Sequence, residues 1–107
     1  MDAEFSLKVS GGKLVNASVV FAQGEFVQGG DLIIASAIIS GDFFLYPEEK
    51  IVEIERSLSG ARLEKKEIVR RVMSVIEKHK LVLVGISPDD IAEAVMGCRS
   101  SDRMQKQ

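Results

Sequence analysis

Gly41-Asp42-Phe43-Phe44-Leu45-Tyr46-Pro47-Glu48-Glu49 is the stretch at which the periodicity of the chain changes. Ahead of it, apolar residues recur at every second position, the mark of strands with one buried face. Behind it they recur at three and four, the mark of amphipathic helices. Pro47 suits the first position of a helix, where its fixed φ is already helical and its missing N–H has no partner to lose. Glu48 and Glu49 then favour the positive end of the helix dipole. The element order β-β-β-α-α-α predicts an α+β fold, a three-stranded antiparallel sheet followed by about three helices packed on it.

Upstream, the third strand covers residues 32–40. Ile33, Ala35, Ala37 and Ile39 share one face, and Ile34, Ser36 and Ile38 the other. That second face is too apolar for a sheet surface meeting only water. Either helices cover the strand on both sides, or the face is a covered edge or meets a partner. The second strand runs over residues 13–23, with Val15, Ala17, Val19 and Phe21 on one face. Leu14, Asn16, Ser18 and Val20 lie on the other. In the first strand Phe5, Leu7 and Val9 alternate with Ser6, Lys8 and Ser10. Gly11-Gly12 supplies the turn between these two strands, and Gly24, Gly29 and Gly30 punctuate the longer connection from Ala22 to Asp31.

Downstream, Ile51, Ile54 and Leu58 are spaced for a helix that Gly60 stops. A second helix covers residues 64–80, its apolar face built from Ile68, Val72, Val75 and Ile76 with help from Val69 and Met73. Leu81 to Ile86 is a short apolar connector or strand. Ser87-Pro88-Asp89-Asp90 opens the last helix with a serine cap, a first-position proline and two acids. Ile91, Ala92, Val95 and Met96 form its buried stripe. Gly97 is expected to end it, which makes residues 1–97 one domain and 98–107 a polar, flexible tail.

The chain has 107 residues, 46% hydrophobic and 28% charged, with a formal charge of −2. One domain of this size builds its own core. The acidic balance argues against nucleic acid as the main partner. No apolar run approaches the roughly 18 residues of a membrane span. The start Met1-Asp2-Ala3-Glu4 lacks a secretory pattern, and the single cysteine excludes an internal disulfide, so the cytoplasm is the expected compartment.

The residues offer little chemistry. His79 stands alone near a helix C-terminus, where it serves the dipole. Cys98 lacks a Cys-x-x-Cys partner. Glu48 and Glu49 are helix-start carboxylates, not an acid pair, because helical neighbours point about 100° apart. Gly11-Gly12-Lys13 lacks phosphate-loop spacing and lies between strands. Arg70-Arg71 and Glu64-Lys65-Lys66-Glu67 read as the solvated side of the second helix. The unusual feature is aromatic: three of the six aromatic residues fall at positions 43–46. Phe43 and Leu45 continue the buried face, with Asp42 bonding nearby backbone N–H groups. Phe44 and Tyr46 point the other way, beside Ile34 and Ile38. These four, with Asp42, are the candidate partner-binding residues, and no residue is assigned a catalytic or metal-binding role.

Four stretches in order, Gly12 to Val15, Ile39 to Phe44, Pro47 to Glu49 and Ser87 to Ala94, resemble the accessory domain of lipoate–protein ligases. The resemblance covers residues 5–97. Its specific part is Gly-Asp-Phe-Phe-Leu-Tyr-Pro-Glu-Glu, whereas the final helix is generic. The domain is C-terminal in many bacterial enzymes and a separate small subunit in some archaeal ones. With its own Met1 and no catalytic domain ahead, the chain is similar to the separate subunit. The family's catalytic Arg-Arg-x-x-Gly-Gly-Gly is absent, since Val72-Met73-Ser74 follows Arg70-Arg71. The resemblance implies a non-catalytic partner of a large catalytic subunit, indirectly serving lipoyl-domain acceptors. The complex would use ATP, magnesium and lipoate, with none bound by this chain alone. The competing expectations are a scaffold for another assembly, such as sulfur transfer, and a self-contained small-molecule enzyme.

Overall fold

A computed structural model of the chain describes residues 2–9, 11, 13–22 and 32–105. The expected connection through Gly24, Gly29 and Gly30 lies outside the described residues, as do Ser10 and Gly12. The elements are β1 (Asp2–Lys8), β2 (Leu14–Phe21), β3 (Ile34–Gly41), β4 (Phe44–Tyr46), a 3-10 turn (Glu48–Lys50), α1 (Ile51–Ser57), α2 (Lys65–His79), β5 (Val82–Val84) and α3 (Pro88–Gln105). Strands β1, β2 and β3 form an antiparallel meander, and β4 pairs antiparallel with β5 in a separate two-stranded ribbon. The α+β expectation holds, with the ribbon as an addition.

Strand alternation builds the core. Ala3 on β1, Val15, Ala17, Val19 and Phe21 on β2, and Ala37 and Ile39 on β3 are all buried. They gather with Ile54 and Leu58 of α1, Ile68 and Val72 of α2, and Ile91, Ala92 and Val95 of α3. Helix α3 packs on β1 and β2, α1 packs on β3, and α2 bridges α1 and α3. The helices therefore cover one face of the sheet, and β3 is not covered on both sides.

Parity in β3 differs from the sequence reading. Val20 pairs with Ser36, but Phe21 pairs with Ile34, so Ala35 is an extra residue in β3. Such a bulge reverses the face of everything upstream of it. Ile34 is accordingly fully buried, not on the outer face with Ile38. Ser59 Oγ donates to the displaced Ala35 carbonyl at 2.7 Å.

The free edge of β3 is largely closed. Gly60 N donates to Ile34 O, Ile34 N to Ala61 O and Leu63 N to Leu32 O, all within 2.8 Å. Ile39 N donates to the Glu55 carboxylate at 2.9 Å. The 57–63 segment is held in turn by Glu67, which is 7% exposed and accepts from Arg62 N and Arg62 Nε. Arg71 lies 3.2 Å from Glu67 and donates to Ser57 O at 2.9 Å. Glu67 and Arg71 are thus structural links rather than solvated surface. The backbone N–H of Arg62, its side chain and the charge of Arg71 together hold the Glu67 carboxyl below its usual range, against the opposing effect of burial.

Two helix ends also differ. Pro47 leads into a 3-10 turn before α1 begins at Ile51. The last helix does not stop at Gly97 but continues to Gln105. Gly97 is there for packing: a Cβ would sit 2.2 Å from the Phe5 ring. Cys98 is fully buried, its Sγ 3.6 Å from Ala17 O. At the start of α3 the cap is as expected, with Asp90 N donating to Ser87 Oγ and Ser87 N to Asp90 Oδ2.

Candidate functional site

The chain leaves the main sheet at Gly41, whose φ is +144° and whose Cβ would lie 2.1 Å from Leu14 O. No side chain fits that approach. Asp42 N then donates to Leu14 O at 2.8 Å, so the anchoring group is its backbone N–H. Its carboxylate is exposed and makes no hydrogen bond among the described residues. From this corner β4 runs out to meet β5, pairing Phe44 with Val84, Leu45 with Leu83 and Tyr46 with Val82.

Alternation across the ribbon sorts these side chains. Leu45 is buried and Leu83 half-buried against the core. Phe44, Tyr46, Val82 and Val84 point outward, exposed by 64, 71, 56 and 53%. Directly paired residues of an antiparallel ribbon have Cβ atoms about 5 Å apart, so the four make one contiguous apolar surface. At its end, Gly11, Lys13, Asp42 and Phe44 line a cleft of about 480 Å³, with the Lys13 stem passing over Gly85. An apolar centre with a charged rim is the anatomy of a protein interface.

The structure thus separates the five predicted site residues. Phe44 and Tyr46 share the ribbon face and Asp42 borders it. Ile38, 62% exposed, lies on the open face of the main sheet, paired with Ser18. Ile34 is in the core. Val82 and Val84 take the places expected of Ile34 and Ile38. Their signal was the alternation of residues 81–84, too short to decide a strand.

Reactive groups are elsewhere and occupied. Burial pushes the Cys98 thiol up to about 11, and the Glu4 carboxylate adds to the shift. His79 Nε2 lies 3.9 Å from Glu53 Oε1 on α1. Among the described residues, no three His, Cys, Asp or Glu side chains are grouped to hold a metal, and no helix is long and apolar enough to cross a membrane.

The fold is a small α+β domain that carries an outward apolar ribbon face. No family model matches the sequence. The chain is nevertheless similar to the lipoate-protein ligase A subunit 2 of Thermoplasma acidophilum, 32% identical over 57 residues, which are 53% of this chain and 57% of that protein. It spans little more than half the length of that relative. Its fold matches a chain in a structure of an archaeal lipoylation system, a bipartite lipoate protein ligase and its E2 lipoyl domain from the same organism. The TM-score is 0.66 and the identity 23%, over 89% of this chain and 94% of that one. The resemblance drawn from the sequence is borne out, and the matched relative is a separate subunit of such a ligase.

Proposed function

We propose that this chain is the non-catalytic accessory subunit of a two-component lipoate–protein ligase. It binds a large catalytic subunit through the outer face of the β4–β5 ribbon, as a heterodimer. The observation that carries the reading is the ribbon itself: four apolar side chains face solvent on a domain similar to a ligase subunit. ATP and lipoate, with the magnesium that accompanies ATP, are handled mainly in the large subunit. Gly11 and Lys13 here border a turn between strands, without the helix N-terminus that phosphate cradles use.

The chain is needed for activation of lipoate to lipoyl-adenylate more than for transfer of the lipoyl group to the acceptor lysine. Activation must align two anions and keep water away, and positioning of this kind lowers a barrier by several kcal/mol, on the order of 7 or more in well-oriented systems. A rigid domain docked beside mobile loops supplies that order without donating a reacting atom. The test supplies the large subunit with lipoate plus ATP, or with preformed lipoyl-adenylate, each with and without this chain. Loss of the first reaction alone supports the proposal. Equal loss of both replaces it with general stabilisation of the large subunit.

A further inference from the structure

The two edges of the main sheet are finished differently. The β3 edge is closed by residues 60–63 and the Glu55 carboxylate, whereas no described strand or loop pairs with the β1 edge. Val9 N donates to Lys13 O at 2.8 Å, which continues the β1–β2 register by one pair. Bonded pairs alternate along an antiparallel ladder, so Leu7 and Phe5 are the next residues of β1 bonded to β2. Glu4, Ser6 and Lys8 therefore turn their backbone N–H and C=O groups to the free edge. On the core side the same edge is thinly covered. Phe5 and Leu7 are only half-buried, while their β2 neighbours Ala17 and Val15 are 2% and 0% exposed.

An open edge is a template for another strand, and charges on it commonly prevent such pairing by repulsion. On β1 the charges are ordered to do the reverse. Glu4 and Lys8 lie on the open face, beside neutral Ser18 and Leu14, and neither forms an ion pair among the described residues. A second β1 laid antiparallel about a two-fold axis at Ser6 matches both faces at once. Glu4 stands opposite Lys8 of the copy, and Lys8 opposite its Glu4, so both exposed pairs join opposite charges. On the core side Phe5 stands opposite Leu7, and each gains the cover it lacks. Moving the axis to Glu4 sets that carboxylate against itself. Moving it to Phe5 leaves Glu4 opposite Ser6 and sets Leu7 against Ala3, which is already buried.

We propose that two copies of this chain pair through their β1 edges, antiparallel about Ser6, into one continuous sheet. The contact is isologous and closes at two copies. The ribbon continues from β3, at the opposite edge, so its four outward residues take no part and each copy keeps them for a catalytic subunit. The proposal stands on this chain's own residues and is independent of the function proposed above. Few residues meet, which places the dimer at the weak end of protein interfaces. Sedimentation equilibrium of the full chain, from micromolar to millimolar concentration, should show a reversible monomer–dimer step. Glu4→Lys should weaken it about tenfold or more, and so should Lys8→Glu, because each sets like charges opposite one another twice. Glu4→Lys combined with Lys8→Glu restores the opposition and should return the affinity to within about threefold of the parent. Both positions are exposed, so all three variants should unfold at the parent's temperature, which separates lost pairing from lost folding. A chain that stays monomeric throughout would overturn the proposal. So would a dimer indifferent to Glu4→Lys, or one the double change fails to restore. Slowed hydrogen exchange at residues 4–8 in a one-to-one complex with the large subunit would also overturn it, by giving the edge to that partner.

Discussion

Two surfaces of this molecule face away from the core, and they are written in different residues. The open face of the three-stranded sheet shows Ser6, Asn16, Ser18, Ser36 and Ser40, with the aliphatic Val20 on β2 and Ile38 on β3 as its exposed apolar members and no exposed aromatic among the described residues. The outer face of the ribbon shows Phe44, Tyr46, Val82 and Val84. Both are strand faces with the same pleat, so exposure alone does not set composition. A face that meets only water gains nothing from aromatics and loses solubility by carrying them. The difference is why the ribbon is the face proposed for contact.

The largest effect expected from this contrast is on assembly. Phe44→Glu with Tyr46→Glu places two carboxylates in an apolar contact and should abolish the complex with the catalytic subunit at micromolar concentrations. Phe44→Ala alone should weaken it by about 1–3 kcal/mol, the range of an interface anchor. Ser18→Glu with Ser36→Glu, on the other face, should leave affinity within about twofold. Calorimetric titration of the purified subunits distinguishes the two surfaces.

Next in size is the contrast within β3. Ile34→Ala should destabilise the fold by about 2–5 kcal/mol, as truncation of a buried isoleucine does. Ile38→Ala should cost less than about 0.5 kcal/mol, as surface changes do. Thermal or urea unfolding checks both, and equal costs would remove the bulge at Ala35.

The bulge explains what the sequence hid. Alternation assigned Val15, Ala17, Val19, Phe21 and Ile39 to the core because nothing interrupts their register. The same rule put Ile34 outside because an extra residue in β3 leaves no local signature. Helical spacing found Ile54, Leu58, Ile68 and Val72, and the Ser87 cap located the start of α3. Gly97 was read as a stop because glycine commonly ends helices, whereas here it admits the Phe5 ring. Half of the ribbon face, Phe44 and Tyr46, was legible from the aromatic cluster. Val82 and Val84 were not, because pairing of Tyr46 with Val82 and of Phe44 with Val84, far apart in the chain, is a tertiary event. Glu67 and Arg71 looked solvated because the groups they hold, Arg62 and the Ser57 carbonyl, belong to the segment ahead of the helix and are brought alongside only by folding.

A smaller effect tests how the ribbon is aimed. Gly41→Ala forces a side chain onto the Leu14 carbonyl at a backbone angle that L-residues rarely adopt, and should cost about 1–3 kcal/mol. If the corner sets the ribbon's direction, the variant also binds the catalytic subunit more weakly after correction for stability. The smallest effect is acid sensitivity. Because the folded Glu67 carboxyl titrates below its ordinary value near 4.5, its contribution is present above that pH and is lost as the pH falls below it. Glu67→Gln should therefore be less stable than the parent at neutral pH and flatten the acid limb of the stability curve, as measured by unfolding across pH 3–7.

The central claim is that the ribbon, not the open sheet, meets the catalytic subunit. Hydrogen exchange of this chain, free and in complex, tests it most directly. The account predicts slowed exchange at residues 44–46 and 82–84 on assembly, with residues 14–20 unchanged. Protection confined to residues 14–20, with the ribbon exchanging as in the free chain, would contradict it.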